Sequence, residues 1–248
     1  MDGVIEFLEV VRQGDAGRVS GLLGAHPEWV RAAGEYGKTG LHWAAESDLI
    51  EVARVLLDAG ADIEARTSWG ASPLDWAANM GSSLVAELLL SRGAGGLTMI
   101  TAAALGKQRE VEAIVESGAD LSPHRRRDAP TTPDDHWPPD SAHILGDILS
   151  DALYAAARNG HAPVVEYLLG RGANINAKGV FGGTGLHWAA INGHAGTVEL
   201  LISHGADLGL KDARYDATPE GWAMEGDHPG IAQVLRRSRP ANRRIITP

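Results

Sequence analysis

The chain has 248 residues, a formal net charge of -10 and a hydrophobic content of 44%. It is long and apolar enough to bury a core, which excludes a disordered polymer, and its acidic surface repels phosphate backbones, so no nucleic-acid partner is expected. It contains no cysteine, which removes disulfides, thiol nucleophiles and thiolate metal sites together.

From the N-terminus, Asp2, Glu6 and Glu9 interrupt the first apolar residues and no cation precedes them, so this stretch does not read as a secretory signal. No apolar run approaches the ~20 residues of a membrane-spanning helix. A soluble, cytoplasmic protein without membrane contact is expected. Residues 5–35 carry Phe7, Leu8, Val10, Val11, Val19, Leu22 and Leu23 at helical spacing and predict a degenerate end unit.

A repeat then takes over. TGLHWAA at 39–45, SPLDWAA at 72–78 and TGLHWAA at 184–190 are copies, with a weaker one, TPEGWAM, at 218–224; the first two starts lie 33 residues apart and the last two 34. A second landmark follows each apolar run: Gly60-Ala61, Gly93-Ala94, Gly118-Ala119, Gly172-Ala173 and Gly205-Ala206. Between the landmarks sit sets such as Val52, Val55, Leu56, Leu57 and Val165, Leu168, Leu169, which share one helical face.

Each unit therefore predicts a helix, a turn at Gly81, Gly106, Gly160 or Gly193, a second helix and a Gly-closed loop. Thr39, Ser72, Thr184 and Thr218 stand where N-caps are needed, and Pro73 and Pro219 occupy the first helical turn.

These residues resemble the ankyrin-repeat family, whose pattern is T-P-L-H-x-A-A, then G-H, V-x-x-L-L and G-A-D. Here the pattern stands best at Thr184–Ala190, Gly193-His194, Val198–Ile202 and Gly205–Asp207. The resemblance runs from about residue 5 to about residue 235. It implies an all-α solenoid of about seven helix-turn-helix units, in one domain at 1–238 with a basic, flexible tail at 239–248. Gly40 and Gly185 replace the motif's proline, Asp75 its histidine, and Glu220-Gly221 its Leu-His. The family's histidine ties neighbouring loops, so looser junctions are expected at those places. The last unit, about 216–237, carries Glu220 and Asp227 and reads as a solvated cap.

The period breaks in the middle. Gly93 to Gly118 is 25 residues, as if eight residues of the inter-unit loop were missing, and Gly118 to Gly172 is 54. The extra segment, about 122–150, holds Pro123, Pro130, Pro133, Pro138 and Pro139 and cannot be helical through them. Ile144–Leu149 is apolar enough to pack back as a short helix. A tolerated surface insertion and a functional flap both stand as readings.

Tryptophan recurs at one repeat position, Trp43, Trp76, Trp188 and Trp222, with Thr101 and Ala155 assigned to that place in the middle units. Packing between stacked helices and a ligand-facing role are both open. Glu46, Asp48, Asp75 and Glu225 lie near these indoles, as a solvated face or as acid–base groups in an aromatic cleft. His42, His187, His194, His161 and His228 belong to the repeat; His124, His136 and His143 lie in the insertion at no tight metal spacing. Arg125–Arg127 and the cluster Arg236, Arg237, Arg239, Arg243, Arg244 read as solvated ends. No phosphate loop, nucleophile elbow or H-E-x-x-H is present.

Two functions follow. The resemblance implies a module that binds a protein partner through the concave groove and loop tips; the 122–150 segment is read as a further contact, and the chain as a monomer without cofactor or metal. The alternative is a small-molecule or catalytic pocket of Trp and Asp side chains beneath that segment. Trp43, Asp75, Trp76, His136, Trp137, Trp188 and Trp222 are the candidate ligand-binding residues, and none is assigned a catalytic role.

Overall fold

The computed structural model describes residues 2–68, 70–118, 148–179 and 182–239. Their regular structure is helical, with isolated β-bridges at Ala33–Thr39 and Lys178–Thr184. They form two compact units, divided after residue 142. His136 and Trp137, with residues 122–147 and 240–248, lie outside the described residues. Ile148, Leu149 and Ser150, taken above as the end of the insertion, belong to the first helix of the second unit.

The first unit holds α1 (Asp2–Gln13), α2 (Ala16–Ala25), α3 (Gly40–Glu46), α4 (Ile50–Asp58), α5 (Pro73–Met80), α6 (Ser83–Ser91), α7 (Met99–Ala104) and α8 (Gln108–Glu116). The second holds α9 (Ile148–Arg158), α10 (Ala162–Gly170), α11 (Gly185–Ile191), α12 (Ala195–Ser203), α13 (Pro219–Glu225) and α14 (Pro229–Ser238). Within each unit the helices pair as hairpins. The first helices of successive hairpins pack on one another, and the second helices form a parallel layer behind them.

The sequence explains the stacking. After each cap comes a buried leucine, Leu41, Leu74 or Leu186, then two buried alanines, Ala44-Ala45, Ala77-Ala78 or Ala189-Ala190. Each fully buried leucine stabilises by roughly 1.5–3 kcal/mol, and the alanines let neighbouring helices approach. The glycines that replace proline in the motif serve the same end. A Cβ at Gly40 would lie 3.1 Å from the Leu56 methyls, and one at Gly185 would lie 3.0 Å from Ala157 Cβ. In the end unit, Phe7, Leu8, Val10, Val11, Val19 and Leu23 are buried as expected, whereas Leu22 is half-buried.

The structure differs from these expectations at two places. Of the eight residues missing from the fourth hairpin, seven come from the loop: Gly60 to Ser72 is 12 residues, but Gly93 to Thr98 is 5. The eighth comes from the helix segment, because Ser72 to the cap Ser82 is 10 residues and Thr98 to the cap Lys107 is 9. Thr101 therefore does not stand at the tryptophan position. It is the third residue after its cap, in the place of His42 and Asp75. At the other end, Glu220 is not solvated. Its side chain is 17% exposed and pairs with Arg236 (2.8 Å) and Arg239 (3.5 Å), so those arginines close the last hairpin.

The turn between paired helices carries a second contact. Gly160 has φ +79°, and the His194 ring of the next hairpin lies where its Cβ would be, 2.6 Å from Nδ1. His194 is held there because Nε2 lies 3.1 Å from the Arg158 carbonyl as its hydrogen-bond donor. Asp48, grouped above with the acidic candidates, occupies this same turn position at φ +52°. Its carboxylate accepts the Val85 N–H (2.8 Å) at the start of α6, so it staples two hairpins rather than serving acid–base chemistry.

Gly205 has a similar φ of +82° with open space around it. Gly205→Ala should cost about 1 kcal/mol from left-handed strain alone. Gly160→Ala should cost about 1–3 kcal/mol more, because the His194 ring must leave its carbonyl. Urea denaturation of the two variants measures the difference; equal losses would remove the histidine contact from the account.

Candidate functional site

The sequence-predicted residues lie on the first helices and their caps. The Thr39 N–H donates to His42 Nδ1 at 3.2 Å, with the Thr39 hydroxyl 2.9 Å from the same nitrogen. An accepting Nδ1 leaves the ring proton on Nε2, which donates to the Ala71 carbonyl of the next loop at 3.1 Å. The second unit repeats this: Thr184 N–H to His187 Nδ1 at 3.1 Å, and His187 Nε2 to the Ala217 carbonyl at 3.2 Å.

Asp75 replaces this histidine, but its junction is not untied. Its Oδ2 accepts the Ser72 N–H (3.0 Å) and hydroxyl (2.9 Å) and meets Arg66 at 3.3 Å, while Oδ1 accepts the Thr101 hydroxyl at 3.1 Å. An acceptor facing a side-chain donor has replaced a donor facing a carbonyl. The exchange falls at the junction with the short loop before Thr98. Asp75 is thereby occupied with capping and stacking, and is not brought together with Trp43.

In the first unit Trp43 and Trp76 share a cation. The Lys38 ammonium lies 4.2 Å from the Trp43 ring centroid, 4.4 Å from that of Trp76 and 2.9 Å from Glu46 Oε2. The Trp76 indole N–H donates to the same carboxylate oxygen at 3.3 Å. The Lys38 side chain is 12% exposed, so this is a partly desolvated cation–π site. Arg12 covers Trp43 as well, at 4.8 Å. A recess of about 190 Å³ beside it is lined by Glu9, Arg12, Gln13, Trp43, Glu46 and Ser47.

The second unit places its indoles in direct contact. Trp188 and Trp222 meet edge to face with centroids 5.1 Å apart. The residue before the cap decides the difference. Lys38 stands where the second unit has Gly183, and a Cβ there would lie 3.3 Å from the Trp222 ring. Arg158 lies 4.3 Å from the Trp188 ring centroid. The Trp222 N–H donates to Asp212 Oδ2 at 2.9 Å. Burial alone would push the Asp212 pKa up, but N–H donors from Tyr215, Trp222, Ala217 and Arg214 outweigh it and hold the carboxyl below its ordinary 3.8.

Trp76 and Trp222 are buried and offer little surface to a ligand, whereas Trp43 and Trp188 are half-buried. Glu225 is exposed. Glu46, expected near the indoles, accepts from one of them, whereas Lys38 and Asp212 went unread in the sequence as partners of the indoles. For Lys38 the available signal was a lone charge at a position that otherwise holds Ala71, Gly183 and Ala217. Among the described residues, no three His, Asp or Glu side chains gather where a metal ion could be held. His124, His136 and His143 lie outside them.

A family model described as ankyrin repeats (3 copies) matches residues 7–99 and 153–243. The chain belongs to the ankyrin-repeat family. No curated protein matches it. The residues between the two matched stretches hold most of the short fourth hairpin and the 122–150 segment of this ankyrin-repeat protein. Among the described residues no helix is long and apolar enough to cross a membrane.

Burial lowers the pKa of His42, His187 and His194 from the ordinary 6.5. The unfolded chain therefore takes up protons first as pH falls. The stability these rings contribute is complete above about pH 6.5 and is lost as pH drops below it. Asp212 titrates in the folded chain below 3.8 and adds nothing to that window. The melting temperature should fall between about pH 7.5 and 5.5. A His42→Gln, His187→Gln double variant should start lower and fall less steeply, with the remaining slope due partly to His194. An unchanged slope would mean that these rings are not held neutral.

Proposed function

We propose that this ankyrin-repeat protein is a binding module for another protein. It contacts that partner through the concave groove that the first helices line in each unit and through the 122–150 segment. It acts as a monomer in the cytoplasm and recognises neither nucleic acid nor membrane. The observation that carries this reading is the state of Trp43 and Trp188. Both stand on first helices, remain half-buried and sit beneath a cation, Arg12 or Lys38 for one and Arg158 for the other. Aromatic and arginine side chains at a partly open surface are the residue types that dominate the energy of protein interfaces. Ankyrin repeats as a family are interaction modules, which supports the same reading.

The second reading is a small-molecule or catalytic pocket built from Trp43, Trp76 and Asp75 beneath the 122–150 segment. The recess beside Trp43 favours it. Two facts weigh the other way: the recess is smaller than the ~300–1,000 Å³ of an ordinary ligand cleft, and Asp75 is absent from its lining.

Affinity capture from lysate of the source cells, with the full chain as bait, should recover a stoichiometric protein. Trp43→Ala and Trp188→Ala should each weaken the complex by roughly 30-fold, the effect of losing an interface anchor, in chains that still unfold cooperatively. Trp76→Ala should instead lower stability itself. A folded Trp43→Ala, Trp188→Ala chain that retains its partner would remove these residues from the interface.

A further inference from the structure

We infer that the partner presents a Lys/Arg-rich segment to the first unit, and that one of its cationic side chains seats in the recess between α1 and α3. This inference rests on the protein-binding reading and adds the chemistry of the partner to it.

Charge is divided unequally along the chain. Residues 1–142 carry 22 acidic and 12 basic side chains, and residues 143–248 carry 10 of each. The whole net charge of -10 thus belongs to the first unit. Such an imbalance steers cationic partners and repels anionic ones.

The recess has the lining that a cation needs. Glu9 and Glu46 supply carboxylates, Gln13 and Ser47 supply neutral acceptors, and Trp43 supplies an aromatic ring. Five of the six lining residues are polar, which disfavours an aliphatic anchor. The chain itself demonstrates the preference of this ring. Lys38 places an ammonium 4.2 Å from it and pairs with Glu46, although the equivalent residues Ala71, Gly183 and Ala217 show that the fold does not require a lysine there.

One occupant of the ring is held loosely. Arg12 lies 4.8 Å from the Trp43 centroid, is 53% exposed and pairs at 3.2 Å with Glu9, itself 53% exposed. Exposed pairs of this kind hold weakly. An arriving guanidinium can therefore take the place of Arg12 over the indole and pair with Glu9, while Arg12 swings to solvent. Lys38, with a 12% exposed side chain and two indoles beside it, stays.

Isothermal titration of the full chain with a hexa-arginine peptide tests this, with hexa-glutamate as control. Hexa-arginine should bind and hexa-glutamate should not. Glu9→Gln should weaken binding roughly fivefold, and Arg12→Ala should tighten it by removing the competitor. Glu110→Gln on α8 removes the same charge away from the recess and should leave binding nearly unchanged. Equal losses for Glu9→Gln and Glu110→Gln, or no binding of hexa-arginine, would overturn the inference. Should hexa-arginine fail while Trp43→Ala still releases the captured partner, the basic segment is wrong and the binding module stands. Should neither tryptophan variant affect the captured partner, the interface assignment itself falls.

Discussion

A two-helix unit of this length has one apolar flank too many. Each hairpin buries one flank between its own helices and leaves the other bare, so the neighbouring hairpin must cover it. Leu41, Leu74 and Leu186 are buried because another hairpin lies against them. Placing polar groups at such a junction is costly unless every donor finds an acceptor. His42 and His187 meet that demand with a neutral ring that accepts on one side and donates on the other. The junction thus sets both the register of the stack and the protonation state of the residue that fastens it.

The fourth hairpin shows how far this constraint reaches. Seven loop residues are missing ahead of Thr98, and the tie across this junction joins a hydroxyl to a carboxylate instead of an imidazole to a carbonyl. The replacement is coupled: Asp75 turns the donor into an acceptor, and Thr101, three residues after its own cap, brings the matching hydroxyl. The tie between the hairpins needs both residues, although Asp75 also caps its own helix. The two residues are 26 positions apart and belong to different repeats, so a position-by-position comparison with the family pattern sees only a lost histidine.

The same distinction explains what was legible in the sequence. Caps, closing glycines, buried leucines and the tryptophan position were legible because each recurs at a fixed offset and answers to local geometry. Asp48 was misread because it fills a glycine position with a left-handed residue that also reaches across to α6. Glu220 was misread because its arginines lie 16 and 19 residues away, on α14 and just beyond it. The indole environments were illegible for a simpler reason. Whether two tryptophans touch or share a cation depends on the side chain before the cap, Gly183 or Lys38, and repeat matching passes over that position as variable.

Variable positions are also where this fold is free to carry information. Most of the stacking residues are leucine, alanine, glycine and neutral histidine, with Asp48 and Asp75 of the first unit among the charged exceptions. Most of the difference of ten charges between the halves of the chain therefore resides on residues that the stack does not specify. Net charge is a statement about association rather than about fold. One unit with a large imbalance beside one with none, both built on the same hairpin, ties that imbalance to what the first unit meets. The same holds for Lys38, which the hairpin does not require and which nonetheless fixes how Trp43 and Trp76 face one another.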